Sequence, residues 1–290
     1  MDSRILDRLR CPVCGEPLAE ATEGTARVLR CPRRHSFDVA RQGYVNLLAG
    51  RAPHVGDSAE MVTARADFLT AGHYDLISAA LAKAATEAAG VVPPTPDVGA
   101  YPLVVDAGAG TGRYLGAVLE ALPDAVGLAL DVSKPALRRA ARAHPRAAAA
   151  LADTWQRLPL ADASTAVLLN VFAPRNGPEF HRVLDPAGTL LVVTPDTDHL
   201  AELVDALGLL RVDPDKADRV AGSLGGHFTL VSSTVHRAEL ALTRPDVATV
   251  VGMGPSAWHT DPAALSTRLG ALPEPVRVTV AVRLDVLRPR

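Results

Sequence analysis

Between residues 102 and 194, short apolar runs alternate with amphipathic stretches. Residues 102–105 are apolar and end at Asp106. The run at 125–130 ends at Asp131, and further runs occupy 147–151, 163–172 and 189–194. Runs this short, bounded by Gly, Pro and Asp, have the length of buried strands. The segments between them, at 113–122, from about Ser133 and Pro135, and at 176–184, carry helical signals. Strand and helix in turn predict an α/β domain with a doubly wound, Rossmann-like sheet. After it come a predicted helix at 199–210 and strands at 228–242 and 280–288, which suit a terminal antiparallel pair.

Ahead of the sheet, residues 56–72 read as a helix with Met61, Ala64, Phe68 and Leu69 on one face. Asp57 and Ser58 stand at its start and Gly72 at its stop. A second helix at 74–89 carries Leu76, Ile77, Ala80, Leu81 and Ala84 on its apolar face, and the three prolines of 90–99 mark a linker or surface loop. The division expected is a small module at 1–40, a connecting segment with helices at 41–99, and the sheet domain at 100–290.

Asp106 opens the run Asp-Ala-Gly-Ala-Gly-Thr-Gly, with glycines at 108, 110 and 112. Glycines permit a sharp turn and close approach of a ligand to the backbone, and the following helix start favours a negative group. The spacing is G-x-G-x-G, not the dinucleotide G-x-G-x-x-G, and no G-K-[ST] follows, which disfavours a P-loop ATPase. Asp131 at the end of the second strand is placed to accept ribose hydroxyls, and Asp153 after the third to lie near an adenine edge. Asn170 and Phe172 at the end of the fourth strand, and Pro174, Arg175 and Asn176 just beyond it, lie on the side where a substrate is expected. Arg65, His73 and Tyr74 are each able to face a ligand, but taken singly read as ordinary surface or interface residues.

Composition adds a second piece. The three cysteines, Cys11, Cys14 and Cys31, all fall in the first forty residues, and with His35 they give C-x2-C and C-x3-H arms separated by sixteen residues. An odd, clustered cysteine count argues for metal rather than disulfides. Three thiolates and an imidazole fill a tetrahedral zinc shell with no open position, which makes the site structural. The chain carries a formal net charge of -2, yet residues 1–51 hold nine arginines against six acids, an excess of three positive charges. A local basic surface of this kind binds phosphate, and equally serves as a solvated face. No membrane span or secretory leader is evident, so a cytoplasmic location is expected. Tyr44 and Asn46 fit both an RNA contact and packing of the module on the next domain, with packing slightly favoured.

These motifs together resemble the ribosomal large-subunit RNA (guanine-N1)-methyltransferase family. The resemblance lies in the four metal ligands, in F-D-V-A-R-Q-G-Y-V-N-L-L at 37–48, in D-S-A-E-M-V at 57–62 and A-G-H-Y at 71–74, in N-V-F-A-P-R-N at 170–176, and in G-M-G-P-S-A-W-H at 252–259. Within the family the set is similar to the actinobacterial tylosin-resistance branch, apart from a longer spacer between Cys14 and Cys31 than in many relatives. The resemblance implies a zinc-ribbon-like module ahead of a class I methyltransferase domain. It implies S-adenosyl-L-methionine as methyl donor, N1 of one guanine in a 23S rRNA hairpin near the peptide exit tunnel as acceptor, naked or in a large-subunit precursor, and a homodimer. The cofactor set is then Asp106, Gly108, Gly110, Thr111, Gly112, Asp131, Asp153 and Asn170. Asn170, Pro174 and Arg175 are expected to hold the guanine edge, with Arg175 favouring charge developing on O6. Arg34, Arg41, Tyr44, Trp258 and His259 are expected on the RNA. A small-molecule methyltransferase and a non-catalytic zinc-containing RNA-binding protein are the competing readings, separated by RNA-dependent methylation and by cofactor binding.

Overall fold

The computed structural model describes residues 1–50, 54–89, 101–209, 222–254 and 262–290. The chain opens with a one-turn helix α1 (Ser3–Leu6), capped by the Asp2 side chain. Strands β1 (Ala19–Glu23), β2 (Ala26–Arg30) and β3 (Ser36–Asp38) follow and form an antiparallel sheet in that order. The sixteen-residue spacer between Cys14 and Cys31 is therefore largely the β1–β2 hairpin, turned at Gly24 with φ 62°.

Next come β4 (Tyr44–Asn46), helices α2 (Ala59–Thr70) and α3 (Asp75–Ala89), then β5 (Leu103–Ala107), α4 (Arg113–Ala121), β6 (Val126–Asp131), α5 (Lys134–Ala140) and β7 (Ala147–Leu151). The second half holds β8 (Thr165–Val171), α6 (Gly177–Val183), β9 (Leu184–Pro195), α7 (Ala201–Leu207), β10 (Phe228–Leu242), α8 (Arg244–Gly252), α9 (Pro262–Ala271) and β11 (Val276–Pro289). These strands make one eight-stranded sheet, ordered β10-β11-β9-β8-β5-β6-β7-β4. Strands β4 to β9 pair in parallel, while β11 runs antiparallel to β9 and β10 antiparallel to β11. The chain fills the sheet outward from β5 through β6 to β7, then returns to β8 on the other side. That reversal opens a crevice at the carboxyl ends of β5 and β8.

Both faces of the sheet are covered. On one, Phe68, Leu69, Ile77 and Leu81 of α2 and α3 join Leu115 of α4 and Val247 of α8 in a single buried cluster. On the other, Ile5, Leu9, Leu29 and Phe37 of the N-terminal module pack with Val105, Leu168 and Phe180. The module is therefore continuous with the core of the sheet domain. Backbone bonds add to this, Arg10 N–H donating to Pro159 at 3.0 Å and Ala161 N–H to Arg8 at 2.9 Å.

Several details depart from the sequence reading. Ser58 caps α2 by accepting from Met61 N–H, while Asp57 turns to Arg65. The helix expected at 199–210 is shorter, Ala201–Leu207, and the last strand longer, Val276–Pro289. Helix α8 starts at a reciprocal cap between Thr243 and Asp246 that the sequence reading did not use. Tyr44 needs a larger correction as an RNA contact. It lies in β4, beside β7, with its side chain 7% exposed among the core residues, because a strand at the covered edge of the sheet must bury one face.

Removing the ring tests that placement. Tyr44→Ala is expected to cost about 3 kcal/mol of unfolding free energy in urea, and Asn46→Ala under about 0.5 kcal/mol. A Tyr44→Ala protein as stable as the parent would show that the ring does not pack there.

Candidate active site

Strand β5 delivers Asp106 to the crevice, and the glycine turn follows. Gly108 and Ala109 N–H donate to the Leu130 carbonyl at 2.9 and 3.0 Å, tying the turn to β6. Gly108 has φ 86°, and a Cβ added to it would lie 2.4 Å from the Ala173 Cβ, so the turn also presses against the exit of β8. The Asp131 carboxylate accepts from Gly110 N–H and from Ser133 N–H, each at 2.8 Å, and so joins the turn to the start of α5. Burial raises its pKa and these two amides oppose the rise.

Asp106 is in a different condition. It is 1% exposed, and neither carboxylate oxygen has a partner among the described residues. Burial, with the Asp131 charge adding to it, pushes its pKa up to about 8. A buried carboxylate is costly unless a donor meets it. The α-ammonium of an amino-acid moiety is such a donor, and S-adenosylmethionine carries one. Arg65 of α2 lies over the same turn: a Cβ at Gly110 would be 3.3 Å from its Nη1. The guanidinium is held by Asp57 at 2.7 Å and by the Met253 carbonyl at 2.9 Å, an arrangement that suits a cofactor carboxylate. Asp153 accepts from Trp155 N–H at 2.9 Å and lies 3.0 Å from His54 Nδ1, beside the exposed Trp155 ring. The residues present thus fit the amino-acid, ribose and adenine parts of that cofactor, with Thr111 and Gly112 completing the turn.

Strand β8 ends at a second junction. Asn170 is fully buried and spends both amide hydrogens, on the Ala107 carbonyl at 3.1 Å and the Pro174 carbonyl at 2.8 Å, while its Oδ1 has no partner among the described residues. Contact with a base through its NH2 is therefore ruled out by those two bonds, and only the oxygen is left to accept. Asn176 caps α6 and donates to Thr154 and Gln156, linking the β8 exit to the Asp153 loop. Arg175 is half-buried, with its Nε unpartnered among the described residues. Burial lowers its pKa and Asp285 on β11 counters that.

The four metal-ligand candidates converge in the module, all their ligand atoms within 4.8 Å of one another. Cys14 and Cys31 Sγ are 3.7 Å apart, and His35 Nδ1 lies 3.6 Å from Cys11 Sγ and 3.3 Å from Cys31 Sγ. A tetrahedral zinc shell has sulfur–sulfur edges of about 3.8 Å and sulfur–nitrogen edges of about 3.5 Å. The donor set and its spacing fit, and no sulfur pair is at bonding distance.

Of the residues expected on RNA, Arg34 and Arg41 are exposed on the module side, and Trp258 and His259 lie outside the described residues. His73 faces Asp246 at 3.3 Å. Sequence reasoning undervalued Arg65 and passed over His54 and His199. His199 Nε2 lies 3.0 Å from the Tyr74 hydroxyl.

Asp106→Asn tests the carboxylate. The parent group gives up its proton near pH 8 in the fold and near 4 when unfolded, so unfolding releases a proton, and cofactor-free stability falls as pH rises from about 4 to about 8. The Asn variant is expected to lose that part of the decline in melting experiments, and to bind S-adenosylmethionine about tenfold to a hundredfold more weakly by calorimetry. Unchanged affinity would remove Asp106 from the cofactor set.

Comparison with known proteins bears on the whole chain. The family profile described as RlmA, N-terminal, a zinc ribbon, matches residues 9–52. A protein of Micromonospora griseorubida assigned as a 23S rRNA (guanine-N(1)-)-methyltransferase is 68% identical, covering 100% of both chains. The 23S rRNA (guanine(748)-N(1))-methyltransferase of Streptomyces fradiae is 52% identical, over 100% of this chain and 99% of its own. A Bacillus subtilis (strain 168) protein with the same assignment as the first is 28% identical over 96% of this chain and 95% of its own. With relatives this similar along its full length, the chain belongs to the 23S rRNA (guanine-N1)-methyltransferase family.

Proposed function

We propose that this chain transfers a methyl group from S-adenosylmethionine to N1 of one guanine of 23S rRNA, at the position equivalent to guanine 748. The observation that carries this reading is the 52% identity, along the whole chain, with the Streptomyces fradiae enzyme named for that nucleotide. The crevice supports it chemically. When bound, the cofactor supplies a methyl group on sulfonium: N1 forms the new N–C bond, the S–C electron pair returns to sulfur, and the N1 proton leaves to water.

The protein's part is alignment and electrostatics. Asp106 and Arg65 hold the two ends of the amino-acid moiety, Asp131 the ribose through the lone pairs its backbone partners leave, and Asp153 with Trp155 the adenine side. Asn170 fixes the β8 exit against β5, and its unpartnered Oδ1 is an acceptor for an N–H of the guanine edge. The desolvated Arg175 offers its unpartnered Nε to an oxygen of the acceptor nucleotide. Zinc in the Cys11, Cys14, Cys31 and His35 site locks the module, and Arg34 and Arg41 grip the hairpin backbone, which makes binding salt-sensitive. Acting as a homodimer in the cytoplasm, the protein marks the exit tunnel and in that way protects against tylosin-type macrolides.

Methyl transfer from labelled cofactor to unmodified 23S rRNA, with mass mapping of the product, is expected to give a single N1-methylguanine. Label on a small molecule without RNA, or none on rRNA or ribosomal particles, would overturn the reading. Arg175→Ala is expected to lower the transfer rate about tenfold or more while leaving cofactor affinity within about threefold. Equal losses in both would remove its proposed role. Purified protein is expected to carry one zinc per chain, and Cys14→Ser to lose it together with protease resistance of the module.

A further inference from the structure

At the exit of β8, Phe172 takes a left-handed backbone, φ 52°, that bulky residues rarely adopt. Its N–H is bonded to the Val193 carbonyl at 3.1 Å, so the conformation is fixed, and the ring is turned out to 40% exposure two residues from Asn170. An apolar ring held outward by a costly backbone at a crevice points to a role for the ring itself. Two more rings frame it: Tyr74 from the start of α3 at 6.2 Å and His199 at 6.0 Å, centroid to centroid. The result is an aromatic corner at the mouth of the crevice.

The hydrogen bonds there fix a direction. Ala281 N–H donates to His199 Nδ1 at 3.3 Å. A backbone amide only donates, so Nδ1 is the acceptor and the neutral ring carries its proton on Nε2. That proton goes to the Tyr74 oxygen at 3.0 Å. Tyr74 therefore accepts from His199 and keeps its own hydrogen to donate, and among the described residues it has no other hydrogen-bond partner. Burial raises its pKa well above the ordinary tyrosine range, so the donor proton is retained.

Resting on the reading that the acceptor is a guanine of 23S rRNA, we propose that Phe172 is the stacking platform for the extruded base and that Tyr74, held as a donor by His199, hydrogen-bonds its O6. On the Watson–Crick edge of guanine, N1 and N2 carry hydrogens and O6 alone accepts. O6 also gathers negative charge as N1 loses its proton, so a donor fixed there acts on the reacting form of the base. His199 is a positioning residue: it touches the base only through Tyr74.

The test is single-turnover methylation by the full chain of a 23S hairpin RNA carrying guanine, or 6-thioguanine, at the acceptor position. Sulfur accepts hydrogen bonds more weakly than oxygen. Phe172→Ala is expected to lower kcat/KM about tenfold to a hundredfold, with Phe172→Tyr returning within about threefold of the parent. Tyr74→Phe is expected to slow the guanine substrate about tenfold and the thioguanine substrate far less. His199→Gln, which keeps both an acceptor for Ala281 N–H and a donor for Tyr74, should retain most activity, and His199→Leu should behave like Tyr74→Phe. Cofactor affinity measured on each variant reports folding, and if Tyr74→Phe loses it, the His199 pair decides. Phe172→Ala at the parent rate, or equal penalties on the two bases, would overturn the proposal. A parent protein that fails to methylate guanine N1 at all would instead overturn the functional reading on which it rests.

Discussion

The side-chain amide of Asn170 sets the spacing from which the crevice is built. It is fully buried and donates across two strand ends, to Ala107, the last residue of β5, and to Pro174 beyond β8. Away from water, each carbonyl left without its donor is a penalty in its own right, so the two ends cannot separate cheaply. That closeness is why position 108 has room only for glycine, with Ala173 filling the space a side chain would need. Asp131 performs the matching service on the other side, with a carboxylate shared by two amides instead of an amide shared by two carbonyls.

With the turn fixed between these two clamps, Asp106 is stranded. The backbone that would ordinarily satisfy a carboxylate is already committed to Leu130 and Asp131, and the carboxyl group is left without a donor among the described residues. The site is thus preorganised and costly at the same point, a cost that a donor on a bound ligand would relieve. Arg65 contributes the opposite charge from α2, outside the parallel sheet, and is itself held by a carbonyl at the end of α8. The crevice is accordingly assembled from the sheet and from a helix that precedes it in the chain.

Much of this was legible from the sequence, for identifiable reasons. Residues 147–151 and 228–242 were placed at their observed bounds because short apolar or β-branched runs end there at turn residues. Asp106 and Asp131 stand out in the sequence because each closes a short apolar run, and they lie at the ends of β5 and β6, while Asp153 follows β7. Strand β4 was not found, since three residues give no alternation to read and its partner β7 lies a hundred positions on. The same distance hid the burial of Tyr44. Arg65 and His199 were undervalued because their meaning is purely spatial: the Tyr74–His199 bond joins residues 125 apart in sequence. Asn170 was placed at the right junction, but which of its atoms remain available is set by two backbone carbonyls that no motif displays.

The parallel pairing of β4 with β7, and the antiparallel bridge of Leu9 with Leu160, also have a consequence in time. The N-terminal module cannot seat on its neighbours until the chain has been synthesised past residue 160. At ribosomal speeds those last hundred or so residues take about five to twenty seconds. During that interval the three thiols and the imidazole project from a nascent segment with no domain to rest on. A metal that these four groups would hold is then open to capture from whatever ion the cell offers first, before the sheet exists to shield the site.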